Sequence, residues 1–285
     1  MRLKSRGVLA VLSLSLILFA AVIANGAAVE FYDLEAERWM PAEKAVEKLR
    51  LNRVVLVGEV HDRPDHHAKQ LGVIQALHKA GVDLGVGMEM FRRETQPELD
   101  RWTAGKSDAT DFIKVYYDNW NYPWPLYGHI LEFARDERIP VLGLNVARDI
   151  TNQVARGGFE SLTEEQRGRL PKVTCRVDSE YMSFIRRAYG MRGHGNFDFT
   201  NFCEAQLVWD KSMAIHALDF LNANPDHVMV ILAGNGHVWR LGIPDQIHRR
   251  AASMTQAVIL PFIPGALTPE NITNADADYL VRLKE

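Results

Sequence analysis

Residues 54–62 read Val-Val-Leu-Val-Gly-Glu-Val-His-Asp: four aliphatic residues, a glycine, then a carboxylate and an imidazole two positions apart. A short, continuous apolar run marks a strand buried on both faces, as in a parallel sheet. The coincidence of such a run with a polar cluster recurs three times. LGVGM (84–88) runs into Glu89, Met90, Phe91 and Arg92, IPVLGL (139–144) into Asn145, Val146, Ala147 and Arg148, and VMVILA (228–233) into Gly234, Asn235, Gly236 and His237. Helical patterning fills residues 41–49, 64–80, 95–103, 108–115, 126–137 and most of 146–222. Strands alternating with helices predict an α/β fold of three layers, α/β/α, around a mostly parallel central sheet. The helical stretch at about 147–222 is expected as an insertion before the GNGH strand. Further strands are expected at 256–261 and, as an edge, at 279–283. In open α/β sheets the ligand sits outside the carboxyl ends of the strands. Glu59, His61, Glu89, Asn145, Arg148 and His237 are therefore predicted to converge on one site.

The residue types at those ends suit two chemistries. Glu59 and His61, two apart in extended chain, point to one side. A carboxylate beside an imidazole sets its tautomer and basicity for acid–base work, so Glu59, His61, Glu89 and His237 are candidate catalytic residues of a hydrolase. The same His61, His237 and Glu59 are candidate ligands of a divalent metal. No GxSxG nucleophile motif is present. His66 and His67, in the next helix, read as surface histidines, and Asp62 as a cap for that helix. The stretch 116–127 reads as a loop with six aromatic rings, Tyr116, Tyr117, Trp120, Tyr122, Trp124 and Tyr127. Such rings stack on planar ligands such as porphyrins, and a tyrosine phenolate can ligate haem iron. His194, in a glycine-flanked stretch, is a further candidate for iron, and Arg148 and Arg192 are candidate partners for carboxylates or propionates. On the expected helix 199–222, Gln206 and Asp210 are one turn apart on an otherwise apolar face. Polar groups there need partners, which points them at the site or its histidines.

The ends and composition bound the remaining classes. Arg2, Lys4 and Arg6 precede an apolar stretch from Val8 to Ala24 and small residues at 26–28. That order predicts a signal peptide over residues 1–28, export to the periplasm, and one domain over 29–285. An uncleaved membrane anchor is the alternative reading of the same segment. Asp and Glu (36) outnumber Lys and Arg (33), and no basic stripe is present, so a nucleic-acid partner is not expected. The cysteines, Cys175 and Cys203, are either a disulfide or two buried thiols.

Taken together, GEVHD (58–62), EMF (89–91), WPLYGHILEFA (124–134), IPVLGLN (139–145), AQLVWDKSMA (205–214) and AGNGH (233–237) resemble the ChaN-like family. That family is grouped with the TraB/Tiki proteins and, more distantly, the erythromycin esterases. The resemblance runs from about residue 31 to 262. It implies an exported haem-binding protein of iron uptake, haems paired cofacially across a homodimer, a tyrosine on the iron (Tyr127, within the matched stretch, first, then Tyr122 and His194), and contact with haem-transport components. It also implies that the GxxH pairs at 58–61 and 234–237 match functional positions of the Tiki proteases. The chain lacks the lipidated cysteine of lipoprotein members.

Overall fold

The computed structural model describes residues 28–189 and 198–284. The expected signal peptide or anchor over 1–28 lies almost wholly outside the described residues, as do Arg192 and His194. Among the described residues no helix is long and apolar enough to cross a membrane.

The chain opens with a hairpin, β1 (Val29–Asp33) and β2 (Arg38–Pro41), then α1 (Ala42–Leu49), β3 (Val54–Glu59), α2 (Pro64–Lys79) and β4 (Leu84–Arg92). Three helices follow, α3 (Gln96–Thr103), α4 (Ala109–Asn119) and α5 (Trp124–Asp136), before β5 (Val141–Asn145). The next run is α6 (Arg148–Gly157), α7 (Glu164–Gly168), α8 (Ser179–Ala188) and the long α9 (Phe199–Ala223). Then come β6 (Val228–Gly234), the single turn α10 (Asn235–Val238), α11 (Ile243–Arg250), β7 (Gln256–Pro261) and β8 (Tyr279–Leu283). All strands share one sheet of order β2-β1-β8-β7-β3-β6-β4-β5. It is parallel from β8 to β5, and β1 is antiparallel to both β2 and β8.

The unbroken apolar runs are explained by the two layers. Val55 and Val57 join the core beneath α1, α2 and α5, whereas Val54 and Leu56 join the core beneath α8, α9 and α11. Alternate side chains thus enter two different cores, so a strand in the middle of the sheet has no polar face. In the first core the indole of Trp102 stacks on Phe112 with centroids 4.2 Å apart and donates to the Leu131 carbonyl at 2.8 Å.

Several expectations are corrected. Residues 279–283 are not an edge, because the β1–β2 hairpin closes over them. The helix α9, in the helical stretch between β5 and β6, packs on both of those strands. The aromatic stretch is mostly helical. Tyr116 and Tyr117 end α4, Trp124 and Tyr127 begin α5, and only 120–123 form a loop. Asp62 caps nothing; Arg63 occupies the N-cap of α2 without a side-chain bond. Cys175 and Cys203 are both free thiols. Burial pushes them up to about 12 and about 11, which keeps both protonated and unreactive.

Candidate functional site

Four neighbouring parallel strands end at one cleft. β3 delivers Glu59 and leads into His61, β4 delivers Glu89 and Arg92, β5 delivers Asn145, and β6 leads into His237. The β4–β5 register shifts between Met88 and Arg92, and β4 pairs with β6 only as far as Met88. Such an irregularity re-aims the side chains within it, and Glu89 lies in that stretch of β4.

Glu89 stands between two imidazoles. Its Oε2 accepts the backbone N–H of Gly234 at 2.7 Å. Its Oε1 lies 3.9 Å from Nε2 of His61 and 3.7 Å from Nε2 of His237. Each histidine is held from behind by a second carboxylate. Nδ1 of His61 is 2.6 Å from Glu59 Oε1, and Nδ1 of His237 is 2.6 Å from Asp210 Oδ1. Each of those carboxylates accepts from a buried tyrosine: Tyr127 donates to Glu59 at 2.5 Å, and Tyr181 donates to Asp210 at 2.6 Å.

Glycine spacing makes this possible. A methyl group on Gly234 would lie 3.0 to 3.1 Å from the imidazole of His61, and one on Gly236 would lie 2.5 Å from the phenol of Tyr189. The AGNGH glycines are therefore places where side chains rest directly on backbone.

Electrostatics follow from the pairing. Burial opposes ionisation of Glu59, but His61 and His67 outweigh it and hold its pKa at about 2. Burial also opposes a charge on His61, yet Glu89 and Glu59 outweigh it and raise its pKa to about 9. His237 is raised too, with Glu89 and Asp210 overcoming burial. At neutral pH, then, His61 is an imidazolium beside Glu89, and the same carboxylate favours the charged form of His237. His66 goes the other way: burial and Lys69 drop it to about 4. It stays neutral, and its Nδ1 accepts the Val60 N–H at 2.9 Å.

These shifts predict the pH profile of stability. A raised histidine contributes fully below its unfolded value of 6.5 and loses that contribution as pH rises through about 9. The depressed His66 contributes above 6.5 and loses it as pH falls through about 4. Melting temperature is therefore expected to peak near pH 6.5 and to decline on both sides. His61→Gln is expected to flatten the alkaline limb; an equally steep limb in that variant contradicts the assignment.

The cleft has a volume of about 270 Å³. Besides the histidines and Glu89, its walls are Trp120, Trp209, Tyr189, Gln206, Asn145, Arg92 and Arg148. Gln206 accepts from the Tyr189 hydroxyl at 2.6 Å, and Asn145 donates to the Glu89 carbonyl at 2.7 Å. Arg148 donates to the Asn119 carbonyl at 2.6 Å and to Asn121 at 3.2 Å. Both of its partners are neutral. Arg92 and Arg148 have no carboxylate partner among the described residues, so the two guanidinium charges are available to an anion.

The predicted residues are thus partly assembled. His61, Glu89, Asn145, Arg148 and His237 line the cleft, whereas Glu59 lies behind His61. The trio His61, His237 and Glu59 does not form a metal site, because Glu59 is committed to Nδ1 while both Nε2 atoms face Glu89. Among the described residues no cluster of histidine, cysteine or acidic groups is set to hold a metal ion. Tyr127 does not face the cleft: it is wholly buried and its hydroxyl is bound to Glu59. An iron could reach it only by breaking that bond. Tyr122 does approach, its ring 5.4 Å from that of His61 and 5.7 Å from that of Trp120, and its hydroxyl makes no hydrogen bond among the described residues. His66 and His67 are buried beneath the site rather than exposed, His67 Nε2 lying 3.3 Å from Glu59 Oε2. Sequence reasoning gave no role to Tyr181, Tyr189 or Trp209. Trp209 sits beside Asp210 in the AQLVWDKSMA stretch, which was the available signal.

Fold and cleft define a three-layer α/β protein with a polar cleft at the carboxyl ends of its parallel strands. The chain belongs to the family described as haem-binding uptake, Tiki superfamily, ChaN, whose model matches residues 45–247. Among solved structures it is similar to ChaN of Campylobacter jejuni, described for its cofacial haem binding, with 19% identity, a TM-score of 0.70, and coverage of 90% of this chain and 98% of that one. It also matches the type III effector HopBA1 (13% identity, TM-score 0.47, 84% and 91% covered) and the erythromycin esterase EreC (13%, 0.48, 76% and 72%). No curated protein matches the chain significantly.

Proposed function

We propose that this chain is a haem-binding protein and that the porphyrin is gripped in the cleft beside Glu89. The carrying observation is the pair of guanidinium groups, Arg92 and Arg148, that have no carboxylate partner among the described residues and line a cleft walled by two indoles. A porphyrin offers a flat apolar face for Trp120 and Trp209 and two propionates for the arginines. Bound haem would supply an iron centre. Tyr122, half-buried with an unengaged hydroxyl, is its ligand on the chain. His61 is poorly suited to that role, because at neutral pH its Nε2 carries a proton; it serves instead as a donor. The enclosed volume is below the roughly 300–1,000 Å³ usual for drug-sized ligands, so the cleft grips one face or edge. The other face is left for a second copy of the chain, which agrees with the cofacial haems of the Campylobacter protein. The basic-then-apolar start supports export to the periplasm, where such a protein would hold haem and pass it to transport components.

Hemin titration followed by visible absorption tests this. Wild-type protein is expected to saturate with the charge-transfer bands of tyrosinate ligation. Tyr122→Phe is expected to lose them, while Tyr127→Phe keeps them. Bands that vanish in Tyr127→Phe and persist in Tyr122→Phe overturn the ligand assignment, and no saturable change overturns the function.

A second reading is favoured by one specific arrangement: two carboxylate-backed imidazoles whose Nε2 atoms flank Glu89 at distances that one water oxygen can bridge. This is the geometry of water activation, and it supports hydrolysis of an ester or amide in the same cleft. His61→Ala and His237→Ala would then abolish turnover, while hemin binding is only weakened and stays measurable. No turnover across ester and peptide panels, with and without divalent metals, counts against it.

A further inference from the structure

The site has an internal two-fold logic that the strand-end motifs do not contain. On one side a tyrosine, a buried carboxylate and an imidazole follow one another as Tyr127, Glu59 and His61. On the other side the same three groups follow as Tyr181, Asp210 and His237. The second series is drawn from different elements: Tyr181 from α8, Asp210 from the middle of α9, His237 from the turn after β6. Asp210 is wholly buried. A buried carboxylate in the middle of an apolar helix face costs several kcal/mol unless it is fully partnered, and both of its oxygens are partnered here.

We propose that Asp210, steadied by Tyr181, is the positioning residue of His237: it accepts the hydrogen bond from Nδ1 and so turns Nε2 toward Glu89 and the cleft. This rests on the cleft being the ligand site and not on which ligand enters it. The groups facing His237 are Glu89 from β4, Asp210 from α9 and His61 from the loop after β3, with the ring of Trp209 set edge-on at 5.9 Å. Without Asp210 the imidazole has no fixed face, because Glu89 lies beyond hydrogen-bond distance. Asp210 thereby joins Glu59 as the second of two orienting carboxylates, and whatever binds beside Glu89 meets two oriented Nε2 atoms instead of one.

The test is nitrogen-15 and proton NMR of the histidine rings in the ligand-free chain, with His237 assigned from the loss of its signals in His237→Gln. The wild type is expected to show a far-downfield Nδ1 proton on His237, the mark of a short hydrogen bond to a carboxylate. Asp210→Asn is expected to remove that signal and leave the rings of His61 and Glu59's other partners unchanged. Tyr181→Phe, which keeps the carboxylate, is expected to move the signal without removing it. Hemin is expected to bind Asp210→Asn roughly tenfold more weakly, the loss of about one charge-assisted hydrogen bond. A wild-type His237 lacking a hydrogen-bonded Nδ1 proton overturns the proposal, whether or not Asp210→Asn folds, and so does the same signal persisting in that variant. If hemin fails to bind the wild type, the haem reading falls, and the ligand-free spectra alone decide the role of Asp210.

Discussion

Glu59→Ala is expected to destabilise the protein by roughly 3–5 kcal/mol, the range for removing one member of a buried charge pair. Three groups converge on this one carboxylate: the Tyr127 hydroxyl, Nδ1 of His61 and, at 3.3 Å, Nε2 of His67. Tyr127, His67 and Glu59 are almost wholly buried, so water does not replace the lost partner. At about 2–4 °C per kcal/mol for a chain of this size, the melting temperature should fall by roughly 10 °C. Glu59→Gln keeps an acceptor and fills the same space, and should lose distinctly less. Denaturant titration of both variants at pH 6.5 measures the difference. A Glu59→Ala loss under about 1 kcal/mol would mean that the network around the carboxylate does not hold the site.

The second large effect concerns binding. Arg92→Ala with Arg148→Ala is expected to weaken hemin roughly tenfold to a hundredfold, with little change in melting temperature. A charge-assisted hydrogen bond contributes about 1.5–3 kcal/mol when shielded, and Arg148 is exposed, which reduces its share. Among the described residues neither guanidinium has a carboxylate partner, so the fold gives up no ion pair there, only the Arg148 hydrogen bonds to Asn119 and Asn121. Isothermal titration at two salt concentrations separates this from general charge: the wild type should weaken with salt more than the double variant does. A double variant that binds hemin as the wild type does removes the arginines from the account.

The central strands were legible because burial in two cores forces an unbroken apolar run, and the polar residues at their ends were legible because a parallel sheet gathers those ends. Asp210 was visible as a polar position on an apolar helix face. What stayed hidden depended on direction. Tyr127 and Tyr122 lie in one aromatic stretch, yet one turns under the sheet to Glu59 and the other lies over His61; spacing alone does not tell the two apart. His66 and His67 resemble any polar first turn until the buried Glu59 and the Val60 N–H claim them. The β1–β2 hairpin is two short strands without a continuous apolar run, so residues 279–283 looked like an edge. Tyr181 and Trp209 acquire roles only once α8 and α9 fold over the strand ends.

A crystal structure of the full chain with hemin tests the central claim most directly. The account predicts porphyrin density against Trp120 and Trp209, propionates at Arg92 and Arg148, and iron facing Tyr122. Hemin seated elsewhere, such as the groove beside Leu170, Pro171 and Val173, with the cleft at Glu89 free of it, would contradict the account.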